Sequence, residues 1–157
     1  MATVEVTFTP LPVHVRTARL VATAVARRSG VAESLLDEVR LAVGEACSRA
    51  VEAHLRHCPG QPIRVELTDD GEQFEVVVTD AVPETADGPA AADGNGAGSQ
   101  GSSRGHGGSF AVLDGEVPLR LPDGVGLAVI AGLADDVRIA SAGAGTSVTM
   151  SWKRRAG

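Results

Sequence analysis

Residues 37–54, DEVRLAVGEACSRAVEAH, form an amphipathic segment with the period of an α-helix, and the rest of the chain is organised around it. Glu38, Glu45, Arg49, Glu52 and Arg56 fall near multiples of 3.6, with Leu36, Val39, Val43, Ala46 and Ala50 as the opposing apolar stripe. Glu45 and Arg49 stand four apart, within reach of each other on a helix. Two readings stay open on periodicity alone. The polar face is an ordinary solvated surface with one salt bridge, or it is the floor of a site.

Working outward, the helix is expected to run from about Glu33 to about Arg56, where Pro59 and Gly60 stop it. Before it, residues 3–9 alternate, with Val4, Val6 and Phe8 on one side, as a half-buried strand ended by Pro10 and Pro12. Residues 13–28 carry Val15, Ala18, Val21, Ala22 and Val25 at helical spacing, with Arg16, Arg19, Arg27 and Arg28 assigned to the outside and Gly30 as a C-terminal cap. After the central helix, Ile63, Val65 and Leu67, an Asp70-Gly71 turn, and Phe74, Val76 and Val78 read as a β-hairpin ending at Asp80.

Residues 81–122 differ in kind. Eight of the 19 glycines lie between Gly88 and Gly108, so this stretch cannot bury enough apolar surface to offset its ordering entropy. It is read as a flexible insertion over about 84–109, with 110–113 and 117–121 as a short strand or a docking segment. Order returns after Asp123: Gly124 and Gly126 lead into a short apolar helix, Val137 and Ile139 open a strand, and Val148, Met150 and Trp152 alternate in a last one. The tail Lys153-Arg154-Arg155 reads as solvated. The element order predicts one α+β domain, a two-layer sandwich in which a mixed, mainly antiparallel sheet is covered on one face by three helices.

A chain of 157 residues with 43% apolar residues has enough material for a core without staples. Only 3% are aromatic, so that core is aliphatic. A net charge of −6 argues against a nucleic-acid binder. No apolar run is long enough to span a bilayer, and the N-terminus lacks a signal-peptide pattern, so no membrane association and a cytoplasmic location are expected. Cys47 and Cys58 have no CxxC or metal spacing and read as reduced thiols. His54, His57 and Cys58 lack a fourth ligand and are assigned to a solvated helix end, with no metal site.

Three stretches in order carry a resemblance. LAVGEACSRAVEAH (41–54) resembles the N-box of GHKL-type ATPases, in particular the small anti-sigma serine kinases. DGVGLAVIAGLADDVRI (123–139) and GAGTSVTMSW (143–152) resemble that family's second glycine box with its helix and the closing Gly-Thr strand. A glycine turn entering a helix offers free N–H groups and the positive end of the helix dipole to phosphate oxygens.

The resemblance implies a Bergerat-type ATP-binding fold with ATP or ADP as ligand. It makes Glu45 the base, Asp80 the aspartate that recognises adenine, Gly124 and Gly126 the phosphate turn, and Thr146 a support of the nucleotide pocket. Two positions depart from the family. Arg49 stands where an asparagine normally ligates Mg²⁺, and a guanidinium offers no lone pair to a metal. It is placed to pair with Glu45 and quench it, or to contact phosphates directly in place of the metal. After Asp80 the family's Asp-x-Gly-x-Gly is replaced by Asp80-Ala81-Val82-Pro83-Glu84.

The expected function is therefore an anti-sigma-type switch, acting as a homodimer that binds a sigma factor and a STAS-domain antagonist, with Mg²⁺-dependent kinase activity weak or lost. Arg16 and Arg19 are expected near the partner surfaces. The alternatives are an active serine kinase acting on a STAS-domain partner, and a sensor of a small ligand other than ATP.

Overall fold

A computed structural model describes residues 2–82, 109–111, 119–121, 125–142 and 145–154. The edge strand β1 (Ala2–Phe8) leads into α1 (Pro12–Arg28), which has Pro12 at its first turn, where a missing N–H costs nothing. Its C-terminus closes as the cap reading expects. Gly30, at φ +84°, donates its N–H to the Arg27 carbonyl, and Val31 donates to that of Ala26, the paired bonds of a Schellman cap. A single 3₁₀ turn, Glu33–Leu35, precedes α2 (Leu36–His57).

The hairpin β2 (Ile63–Asp69) and β3 (Gln73–Thr79) follows. Gly71 takes φ +93° in its turn, and the Asp70 carboxylate accepts the N–H groups of Glu72 (2.9 Å) and Gln73 (2.8 Å). Arg154 belongs to this turn and not to a solvated tail. Its guanidinium donates to the Asp69 carboxylate at 3.4 Å and to the Gly71 carbonyl at 3.3 Å, tying the end of the last strand to the hairpin.

Two short strands, β4 (Ser109–Ala111) and β5 (Leu119–Leu121), pair with each other. The expected flexible insertion over 84–109 lies almost wholly outside the described residues. Then come α3 (Val125–Leu133), β6 (Asp136–Ala142) and β7 (Gly145–Lys153).

The main sheet has the order β1-β2-β3-β7-β6, and every pairing in it is antiparallel, so the expected mixed sheet is corrected in that respect. Strand alternation puts Ile63, Val65, Leu67, Phe74, Val76, Val78, Val148, Met150 and Trp152 on the buried face. The other face is polar: Arg64 bridges Glu5 and Glu66, and Arg138 bridges Glu75 and Asp136. The three helices supply the second layer of the α+β sandwich, with α2 meeting α1, α3, β3 and β4. Among the described residues no helix is long and apolar enough to cross a membrane.

α2 is more than an amphipathic surface helix. Its apolar stripe is buried as expected, but residues 42–48 are buried on every side. Neighbours on several sides leave no solvated face at its centre.

Candidate functional site

Asp80 follows the last residue of β3, beside the start of β7, and its position is set by its own hydrogen bonds. Its N–H donates to the Thr146 carbonyl at 2.9 Å. Its Oδ1 accepts the N–H of Val82 at 2.9 Å and that of Thr146 at 3.2 Å. The side chain is thus clamped through one oxygen. Among the described residues Oδ2 has no hydrogen-bond partner, so within them this half-buried carboxylate presents a second acceptor at a fixed place. A fixed, partly desolvated acceptor of this kind fits an exocyclic amino group.

Gly145 makes the clamp geometrically possible. A Cβ there would stand 1.9 Å from the Asp80 carbonyl oxygen, and the residue takes φ +152°. Only glycine lets the two backbones approach this closely. The Gly145-Thr146 and Asp80 motifs, 66 residues apart between Asp80 and Thr146, are therefore two sides of one contact.

His54 holds the same segment from the other side. The ring is fully buried at 0% exposure, not part of a solvated helix end. Nε2 accepts the Ala81 N–H at 2.9 Å, and Nδ1 donates to the Gln61 carbonyl at 2.9 Å. Sequence reasoning passed over this residue, although its spacing gives a signal. His54 lies four residues after Ala50 and eleven after Val43, on the apolar stripe.

Glu45 does not line an exposed floor. It sits at the covered centre of α2 with 1% exposure. Arg49, one turn on, is half-buried.

Arg19, expected on the outside of α1 beside a partner, is instead buried at 3% exposure. Its Cδ lies 2.5 Å from where a Cβ on Gly44 would be, so the side chain crosses α2 at the residue preceding Glu45. Arg19 and Glu45 are the buried charged side chains among the described residues, and Arg19 lies in the α1–α2 seam. The sequence signal was again position. Arg19 shares the stripe of Val15, Ala22 and Ala26, but its residue type argued for solvent.

Cys47 lies in the same seam. Burial pushes its thiol up to about 12, against a smaller opposing pull from the Arg19 charge. Such a thiol is structural. Both cysteines are free, as expected for reduced thiols.

The phosphate turn is only half described. Gly124 lies outside the described residues, and Gly126 sits in the first turn of α3. The residues present fit the adenine end of a nucleotide, through Asp80 and Thr146. They do not fit Mg²⁺ as the resemblance would hold it: Arg49 stands at the sequence position of that metal-ligating side chain, and a guanidinium only donates. Among the described residues no group of three His, Cys, Asp or Glu side chains is placed to hold a metal ion.

No curated protein sequence matches the chain. The fold is similar to a crystal structure of the RsbU and RsbW domains of Rv1364c from Mycobacterium tuberculosis, with a TM-score of 0.62 and 17% identity. The match covers 97% of this chain but 32% of that one, so the chain spans about a third of the length of its solved neighbour. At this identity the likeness concerns fold. Residues 8–152 match the model of the histidine kinase-like ATPase domain, and the chain therefore belongs to that family.

Proposed function

We propose that this protein is a partner-switching regulator of the anti-sigma type, which holds a nucleotide at Asp80 without Mg²⁺ and has lost most or all of its kinase chemistry. Its partners are a sigma factor and a STAS-domain antagonist, engaged by a homodimer. Glu45, Asp80, Gly124, Gly126 and Thr146 are the residues inherited from a phosphoryl-transferring ancestor, and Arg49 is the residue that changed.

The observation that carries this proposal is the contrast between the two ends of the site. At the adenine end, Asp80, Thr146 and Gly145 form a tightly bonded clamp. Arg49 takes the sequence position that the resemblance gives to the metal ligand, and Glu45, its implied base, is buried within the helix layer. Phosphoryl transfer depends on metal ions that neutralise the phosphates and on a base that reaches the nucleophile. Arg49 supplies charge to the phosphates as a donor fork, which favours binding but replaces neither function.

Purified protein mixed with STAS-domain proteins and sigma factors in the presence of labelled ATP tests the proposal. The expected result is a stable complex with one of them and little or no label on the partner. Brisk transfer that Glu45→Ala abolishes would establish an active serine kinase instead, and failure to form any complex would remove the anti-sigma reading.

A further inference from the structure

At the last residue of the 41–54 stretch, a buried side chain with no role assigned by the resemblance bonds directly to the Asp80 segment. His54 contacts two backbone groups of opposite sense, the Gln61 carbonyl at Nδ1 and the Ala81 N–H at Nε2, each at 2.9 Å. A carbonyl can only accept and an amide N–H can only donate, so the neutral Nδ1-protonated tautomer is the form that satisfies both. The ring is fully buried, and no water competes for either nitrogen. Ala81 stands between Asp80, whose Oδ1 is bonded to Val82 and Thr146, and the buried Val82. The imidazole therefore joins the last turn of α2 to the segment that carries the free carboxylate oxygen.

We infer that His54 is a positioning residue for nucleotide recognition, setting the place of Asp80 by holding the Ala81 N–H. This role rests on the proposal that a nucleotide binds at Asp80. The segment after Asp80 lacks the family's glycines, and its entry is fixed by hydrogen bonds to neighbouring elements. Withdrawing the Nε2 acceptor leaves a part-buried N–H without that partner, and the segment must shift to satisfy it. Asp80 is one residue away and shifts with it. The second contact, to Gln61, ties the ring to the loop entering β2 and has no direct path to the carboxylate.

The two contacts separate by substitution. In His54→Gln the amide oxygen reaches the place of Nε2 and still accepts from Ala81, while the bond to Gln61 is lost. In His54→Asn the amide nitrogen takes the place of Nδ1 and still donates to Gln61, while Ala81 loses its acceptor. ATP affinity and the urea midpoint are measured for both variants and for the unaltered protein. The expected result is similar destabilisation of both, with ATP binding near the original level in His54→Gln and weakened about tenfold or more in His54→Asn.

Equal loss of affinity in both variants, or none in either, would overturn the positioning role while leaving the nucleotide reading in place. Absence of ATP binding by the unaltered protein would overturn the nucleotide reading and this role with it. If either variant fails to fold, amide exchange on the unaltered protein decides. The Ala81 N–H is expected to be protected and to gain protection with ATP, and an Ala81 amide that exchanges freely overturns the inference.

Discussion

At Gly145 a single added atom decides the outcome. A Cβ would meet the Asp80 carbonyl at 1.9 Å from a backbone already at φ +152°, and the obstacle is backbone, which cannot rotate away. Gly145→Ala should cost about 2 kcal/mol or more in urea unfolding and weaken ATP binding more than its stability loss explains. Unchanged stability would mean that β7 and the Asp80 segment do not approach this closely.

Cys47 gives a pH-dependent check at the same scale. Its folded pKa, about 12, lies above the ordinary 9.0, so its contribution to stability is complete below the lower value and is lost as pH rises towards the higher. At mildly alkaline pH a thiol-alkylating reagent should label the partly exposed Cys58 and spare Cys47 until the protein is denatured. Labelling of both cysteines in the folded protein would contradict the burial of the α1–α2 seam.

That seam is the element whose character changed most between sequence and structure. Strands were legible because β2, β3 and β7 alternate apolar and polar residues so regularly that their buried face can be written down directly. Helix C-termini were legible from Gly30 and Pro59. What periodicity could not show was how many neighbours α2 has. A helix touched on several sides buries Glu45 as well as its apolar stripe, and a polar residue type is then no guide to exposure. Arg19 and His54 were misplaced for the same reason, since each occupies a stripe position that its chemistry argued against.

The close crossing depends on Gly44, where a side chain would collide with the buried Arg19 stem. Gly44→Val should destabilise the protein by about 1–3 kcal/mol in denaturant unfolding. A variant as stable as the original would show that Arg19 does not lie across α2.

In the β2–β3 hairpin, backbone N–H groups of Gln73 and then Glu72 hold the Asp70 carboxyl below its ordinary 3.8. A lowered folded pKa contributes stability above the unfolded value, and that contribution is lost as pH falls through the folded one. Acid titration of the turn amides should therefore show a transition below that ordinary value, and Asp70→Asn should remove it.

Across the whole molecule, an antiparallel sheet brings the segment after β3 next to β7, so Asp80 and Thr146 meet without either being near the other in sequence. The family resemblance assigned Asp80 and Thr146 to one nucleotide pocket, and the hydrogen bonds that join them show that they touch. On the proposed reading, Arg49 takes the sequence position that the resemblance gives to a metal ligand, and that change separates binding from catalysis. Arg49→Asn should make ATP binding dependent on Mg²⁺, measured as an affinity difference between titrations with and without the metal, whereas an unresponsive variant would show that Arg49 is not what excludes it. The most direct test of the central claim is calorimetric titration of the unaltered protein with ATP, once with Mg²⁺ and once with a chelator. The predicted result is binding of the same affinity in both, and ATP binding that appears only when Mg²⁺ is present would contradict it.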